Sequence, residues 1–345
     1  MAKSDTRKIR ISGSEVTFYF GGRFSQIQDP LNGRSAIFVT DEHIFKLHQP
    51  AFRNKKTIVI PPGEKHKQQF TVDTILKELV VLGADRSTLL IGVGGGVVTD
   101  IAGYVASVFM RGIPLAFVPT TLLAMVDAAI GGKNGVDLGV YKNLVGSFRQ
   151  PEFLFYDTGL LSTLPHTEWA NGFAEIIKHA AIDNRAMFKQ LLKHDLPFFR
   201  QHSEALSDLI RQNALLKTKI VRRDPFEKGG RKLLNFGHTL GHAIENDLQI
   251  PHGHAVAVGM VYAAELSKQL LGFQETADLI ETLERYELPT HAAFNMPLAL
   301  ERMMTDKKRV GKEMHFVLLE SLGKGVVKNI PVKDFKRYFS KTAAY

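Results

Sequence analysis

Short apolar runs alternating with stretches of helical spacing fill the first 160 residues of the chain. Ala36 to Thr40, Thr57 to Ile60, Thr88 to Val93 and Leu115 to Val118 are bounded by Gly, Pro, Asp or Asn, which predicts buried strands. Between them Val72, Ile75, Leu76, Leu79 and Val80 make one apolar stripe, which predicts a helix over Gln68 to Leu82. This alternation predicts an α/β N-terminal domain with a mostly parallel sheet and helices on both faces. From about Leu160 the pattern changes. Helical spacing over Glu168 to Ile182, Glu204 to Arg222, Leu234 to Leu248, Val256 to Leu271 and Thr276 to Tyr286 predicts a mostly α-helical C-terminal domain. A hairpin, His315 to Leu319 with Gly325 to Lys328, is the expected exception. We read residues 1–160 as one domain and 161–345 as the other, with a ligand cleft expected between them.

Candidate chemistry sits at the ends of these elements. After the strand ending at Val93 come Gly94, Gly95 and Gly96, and then Val97, Val98, Thr99 and Asp100 open a helix. Glycines let backbone N–H groups approach a phosphate, and the helix N-terminus adds a favourable dipole, as in Rossmann-like domains. The run departs from G-x-G-x-x-G, because Gly92 and Gly94 fit but the last position is Val97. Spacing alone leaves a dinucleotide pyrophosphate and a plain tight turn as equal readings. Pro119-Thr120-Thr121 follows another strand and leads through Asp127 to Gly131-Gly132-Lys133, and Lys142-Asn143 lies in a further loop. Lysines at such places bind phosphates or carboxylates. Taken singly, each is more simply a surface lysine.

Histidine is the densest signal. Four of the thirteen histidines, His238, His242, His252 and His254, fall within seventeen residues. On a helix, His238 and His242 share a face, and neutral imidazole is both a metal ligand and a proton shuttle. Helix-capping or core histidines are the bland alternative. In Ala174-Glu175-Ile176-Ile177-Lys178, Glu175 and Lys178 also share a helix face. A surface ion pair is the simplest account of them, but one carboxylate with two imidazoles makes an open metal site of the catalytic kind.

Composition narrows the choice. The 345 residues are 44% apolar and 23% charged, ordinary for a soluble globular protein, and long enough for two domains. With no cysteine, thiolate chemistry and cysteine-ligated zinc are excluded, so any metal sits on His, Asp or Glu. No apolar run reaches the roughly 18 residues of a membrane span, and the N-terminus lacks a signal-peptide core, so a cytoplasmic protein is expected. The net charge of +9 is spread along the chain, which favours an anionic small molecule over nucleic acid. Only Lys333, Lys336, Arg337 and Lys341 form a basic tail, expected as a solvated helix face.

Taken in order, these motifs resemble the 3-dehydroquinate synthase family of sugar phosphate cyclases from about Asp41 to Lys308. The resemblance rests on Pro62-Gly63-Glu64, Gly94 to Val97 with Asp100, Arg111-Gly112, Pro119 to Thr121, Gly131 to Lys133, and Lys142-Asn143. It continues through Ala174-Glu175 with Lys178, the run Leu234 to His242, His252-Gly253, and Asp306-Lys307-Lys308. The resemblance implies Glu175, His238 and His252 as ligands of zinc or cobalt. It implies an NAD-binding set of Asp41, Glu64, Lys67, Gly95, Gly96, Val97, Val98, Thr99, Asp100, Thr120, Thr121, Asp127, Lys133 and Lys142. It further implies that Lys133, Asn143, Lys178, Lys217, Arg231, Asn235, His242 and one of Lys307 or Lys308 meet the substrate. Arg111 would reach a neighbouring subunit's site, which implies a homodimer. The implied reaction turns the sugar acid phosphate 3-deoxy-D-arabino-heptulosonate 7-phosphate (DAHP) into 3-dehydroquinate and phosphate, toward aromatic amino acids. It proceeds by transient oxidation, phosphate elimination, reduction and an intramolecular aldol closure.

The chain departs from the family's usual pattern at Ala128 and Ala129 (where serines are common), at Thr99 (glycine) and at His254 (glutamate). Relatives of the same fold cyclise sedoheptulose 7-phosphate or glucose 6-phosphate, which lack the carboxylate. Lys217 and Arg231 argue against these, since two cations facing no anion are poorly compensated. A metal-dependent polyol dehydrogenase would share the glycine turn and the late histidines but release NADH. A non-enzymatic basic binding protein leaves the assembled motifs unexplained.

Overall fold

The computed structural model describes residues 5–139, 141–305, 309–310, 313–331, 334 and 338. Its contacts divide the chain into two units: the described residues up to Pro165 together with Ser203–Pro225, and His166–His202 together with those from Phe226 onward.

The first unit opens with β1 (Asp5–Ile11) and β2 (Ser14–Phe20), then α1 (Gln28–Leu31), β3 (Ala36–Asp41), α2 (Glu42–Leu47), α3 (Gln49–Phe52) and β4 (Lys56–Ile60). It continues with α4 (Gln69–Val81), β5 (Leu89–Gly94), α5 (Gly96–Val108), β6 (Leu115–Pro119), β7 (Lys133–Leu138), β8 (Tyr141–Phe148) and β9 (Phe153–Phe155). Seven strands form one sheet in the order β1-β2-β9-β6-β5-β3-β4. All neighbours pair in parallel except the β1–β2 hairpin at the edge. The central β5 and β6 are buried along their whole length, as continuous apolar strands of a covered parallel sheet should be. Phe24, Phe38, Phe52, Ile91, Val93 and Phe155 join one core cluster, each contributing about 1.5–3 kcal/mol by burial. Gly92 matters for packing: a Cβ there would lie 3.0 Å from the Ala102 Cβ, so glycine lets α5 sit close on β5.

The four predicted strands and the helix over Gln68 to Leu82 appear within a residue or so of expectation as β3, β4, β5, β6 and α4. The hairpins β1–β2 and β7–β8 were not legible. β1 is a charged, largely exposed edge strand, turned at Ser12-Gly13 with φ 50° and 85°. β7 and β8 pair Gly135 with Gly146, where a Cβ would meet the opposing backbone at 2.3–2.6 Å. Glycine there weakens the strand signal and permits the pairing.

The second unit begins with α6 (His166–Asp183), α7 (Arg185–Lys193) and α8 (Leu196–Gln201); the next helix, α9 (Ser203–Arg223), belongs by its contacts to the first unit. Then follow α10 (His238–Leu248), α11 (His252–Leu271), α12 (Thr276–Arg285), α13 (Met296–Thr305) and the strands β10 (Arg309–Val310), β11 (Glu313–Ser321) and β12 (Lys324–Pro331). The three strands make an antiparallel sheet that contains the expected late hairpin. Two helix starts lie four residues from expectation, and α11 begins at His252 rather than Val256. The helix expected from Leu234 starts at His238, after a 3-10 turn Gly230–Asn235, because Gly237 takes φ 78° and breaks the run. A Cβ at Gly237 would lie 2.6 Å from the Val256 carbonyl oxygen, so α11 also excludes any side chain there. No helix among the described residues is long and apolar enough to cross a membrane. The basic tail and Lys307 and Lys308 lie outside the described residues.

Candidate active site

Three helices of the second unit bring Glu175 (α6), His238 (α10) and His252 (α11) together. His238 Nε2 lies 3.4 Å and His252 Nε2 3.3 Å from Glu175 Oε1, and one ligand atom from each of the three lies within 4.8 Å of the others. Each imidazole has its second nitrogen occupied. His238 Nδ1 is 3.1 Å from the Phe236 carbonyl oxygen, and His252 Nδ1 is 3.0 Å from Glu245 Oε2. A carbonyl or carboxylate only accepts, so each Nδ1 donates and each Nε2 faces Glu175. This is the outer arrangement that fixes ring and tautomer at metal-binding histidines. Two imidazole nitrogens and one carboxylate oxygen form a set that could hold a divalent cation.

The charges follow from burial. Glu175 is fully buried, which alone would raise its pKa, but Lys178 and the two imidazoles hold it well below the usual carboxylate range. Its Oε2 faces the Lys178 ammonium, and these side chains expose 0% and 2%. The expected surface pair is therefore a buried one. Burial, with Lys178 next, pushes His238 down to about 4, so it stays neutral. Burial also pulls His252 down, but hydrogen bonds to Glu175 and Glu245 carry it up to about 9. His242 is exposed, its ring 5.1 Å from that of His238 and 5.9 Å from that of His252. A second metal-capable group joins His242, Glu245 and His252. His254 is half-buried on the first turn of α11, outside every such group among the described residues. Arg231 is buried in the turn before α10, and Asn235 donates through Nδ2 to Glu227 Oε1 at 2.7 Å.

The first unit gathers the residues around the glycine turn. Gly95 caps α5 without a side-chain hydrogen bond, leaving that helix end to other acceptors. A Cβ at Gly95 would lie 3.0 Å from Thr121 Cγ2, and one at Gly96 3.2 Å from the Ala128 Cβ, so the β5–α5 turn and the β6–β7 connection meet there. Val97 is half-buried, Val98 and Thr99 are buried, and Thr99 turns its hydroxyl back onto the Gly96 carbonyl at 3.0 Å. Thr120 Oγ1 is buried with no hydrogen-bond partner among the described residues. Asp41 caps α2 by accepting from the Ile44 N–H at 3.0 Å, and Glu64 stands exposed in a 3-10 turn.

Lys67 is buried between Asp100, at 2.5 Å, and the Asn143 side-chain oxygen, at 2.6 Å. Burial disfavours its charge, but Asp100 and Glu64 outweigh that and raise its pKa. Asn143, at φ 52°, also donates its N–H to Asp137 Oδ1 at 2.7 Å. Lys133 and Lys142 are exposed on the β7–β8 hairpin. Lys217 reaches the π-helical turn Ala124–Ala128, 2.6 Å from the Asp127 carbonyl oxygen and 2.8 Å from its Oδ1. Arg111 is exposed at φ 65°.

The sequence reading missed Glu245, Glu227, Asn171 and the Phe236 carbonyl. Glu245 had a signal: it stands three residues after His242 and seven after His238, on their helix face.

Family models of the 3-dehydroquinate synthase N-terminal and C-terminal regions match residues 57–171 and 172–309. A 3-dehydroquinate synthase of Pyrococcus abyssi is 44% identical over 276 residues, 79% of this chain and 81% of that protein. One from Thermococcus kodakarensis is 43% identical over 323 residues, 92% and 91% of the two chains. A solved 2-deoxy-scyllo-inosose synthase, complexed with carbaglucose-6-phosphate, NAD+ and Co2+, superposes with a TM-score of 0.85 at 25% identity, covering 98% of this chain and 99% of that one. The chain belongs to the 3-dehydroquinate synthase family.

Proposed function

We propose that this chain converts DAHP into 3-dehydroquinate and inorganic phosphate, with NAD and a divalent cation, zinc or cobalt. The observation that carries this reading is the convergence of Glu175 Oε1, His238 Nε2 and His252 Nε2 beside the buried Lys178. The donor set suits a cation, and the uncapped glycine turn with the unpartnered Thr120 hydroxyl suits the dinucleotide. A cation held by Glu175, His238 and His252 would supply Lewis acidity toward a substrate oxygen, and NAD held at the glycine turn would supply a reversible hydride acceptor.

In this reading the remaining residues bind, orient and move protons. Arg231 offers a planar guanidinium suited to a carboxylate through two parallel hydrogen bonds. Lys178 adds positive charge next to the carboxylate ligand. His242, on the exposed side of the imidazole group, shuttles a proton rather than ligating. Asn235, steadied by Glu227, and Lys133, Asn143 and Lys217 contribute polar contacts to the sugar acid phosphate. Lys142, Asp41, Glu64, Lys67, Asp100 and Asp127 serve the dinucleotide. We take the chain to act as a cytoplasmic homodimer in which Arg111 reaches across, its positive φ being the kind of backbone outlier that marks functional positions.

Lys217 does not by itself demand an anionic substrate, because Asp127 already compensates it. The choice of DAHP over a sugar phosphate without a carboxylate rests on the relatives at 43–44% identity, against 25% for the inosose synthase. Phosphate release compared between DAHP and sedoheptulose 7-phosphate tests it. Turnover of DAHP supports the proposal; turnover of sedoheptulose 7-phosphate alone overturns it.

A further inference from the structure

The three metal-capable side chains come from three helices, so their spacing depends on how those helices are held together. We infer that Asn171 is the positioning residue that sets His252 against Glu175, an inference that rests on the metal-site reading. Asn171 and Glu175 are one turn apart on α6 and leave the same helix face. Asn171 Oδ1 accepts the backbone N–H of Gly253 at 2.8 Å, and both residues are buried. Gly253 directly follows His252 in the first turn of α11.

That N–H is one of the amides a helix cannot satisfy within itself. Pro251, at the N-cap, supplies no side-chain hydrogen bond, so the acceptor comes from another helix. The helices also touch through their backbones: a Cβ at Gly253 would lie 2.7 Å from Asn171 Cα and 2.8 Å from its carbonyl oxygen. The amide and the glycine together fix where α11 begins relative to the turn that carries Glu175. Glu245, by contrast, holds the His252 ring from α10 and sets its rotation. Position comes from Asn171 and orientation from Glu245.

The test uses the full-length protein and Co2+, whose visible spectrum reports coordination geometry. In the metal-free chain the Gly253 amide is expected to be protected from hydrogen exchange, although first-turn amides ordinarily exchange freely. Asn171→Ala should remove that protection, weaken Co2+ binding by about tenfold or more and alter the Co2+ spectrum. Asn171→Asp keeps an acceptor and should restore all three. A residue with a merely structural role would lower the melting temperature and leave the Co2+ spectrum unmoved. Free exchange of Gly253 in the unaltered chain overturns the inference, as does an Asn171→Ala protein that binds Co2+ with normal affinity and spectrum. Should Asn171→Ala not fold, Gly253 protection in the unaltered and Asn171→Asp chains decides. If the unaltered chain bound no Co2+, the metal reading would fall, and Gly253 protection would still test the clasp.

Discussion

Lys178 stands one turn after Glu175 with its ammonium against Oε2, and the other carboxylate oxygen faces two imidazoles. Both side chains are withdrawn from water, so the carboxylate is anionic only because of these neighbours. Lys178→Met should therefore destabilise the metal-free protein by about 3 kcal/mol, as removal of one partner of a buried pair does. Added Zn2+ should recover much of the loss, because the cation takes over the compensation. Denaturant titrations with and without Zn2+ check this; equal losses in both conditions contradict it.

His238 and His242 share a helix face but are predicted to have different jobs. His238→Ala should abolish both metal binding and turnover. His242→Ala should retain the metal and lose about 100-fold or more in kcat, the usual scale of a lost proton-transfer group. Metal stoichiometry after dialysis separates the two. Loss of the metal in His242→Ala would move the ligand assignment to the neighbouring group of His242, Glu245 and His252.

Metal binding should depend on pH through His252. With a folded-state pKa of about 9, above the ordinary imidazole value of about 6.5, its proton stabilises the metal-free fold. That contribution is complete below about 6.5 and lost as pH rises through about 9. A cation must displace the same proton, so its affinity should climb as pH rises toward 9. The gap in melting temperature between loaded and metal-free protein should widen between pH 6.5 and 9. A constant gap would refute the protonated state of His252.

Gly259 should tolerate no side chain. A Cβ there would lie 1.9 Å from the Gly237 carbonyl oxygen and 3.0 Å from the Gly241 nitrogen, where α10 and α11 cross. Gly259→Ala must push apart the helices that carry His238 and His252, at a cost of about 2 kcal/mol or more. Thermal unfolding and Zn2+ affinity should both fall. Unchanged affinity in a destabilised protein would mean the site adapts to the shift.

Much of the site was legible because its residues cluster along the chain. The histidine run, the glycine turn after β5 and the i, i+3 spacing of Glu175 and Lys178 all carry periodic signals. The parallel core was legible for a similar reason: β5 and β6 are buried on both faces and read as continuous apolar runs. The hairpin bearing Lys133, Lys142 and Asn143 was hidden, since glycines replace the alternating pattern of a half-buried strand. The break before α10 was hidden by an apolar run, Leu233-Leu234, that fits a helix until Gly237 turns it. The compensation of Lys217 was hidden because its partner Asp127 is ninety positions away. The Asn171–Gly253 contact spans eighty-two residues, beyond any local pattern.

The measurement that bears most directly on the central claim is phosphate release from DAHP by the purified protein, followed together with NADH absorbance. Release should require NAD+ and a divalent cation, stop on chelation, and leave no net NADH. No release from DAHP, with steady NADH production from a polyol, would contradict it and make the chain a dehydrogenase.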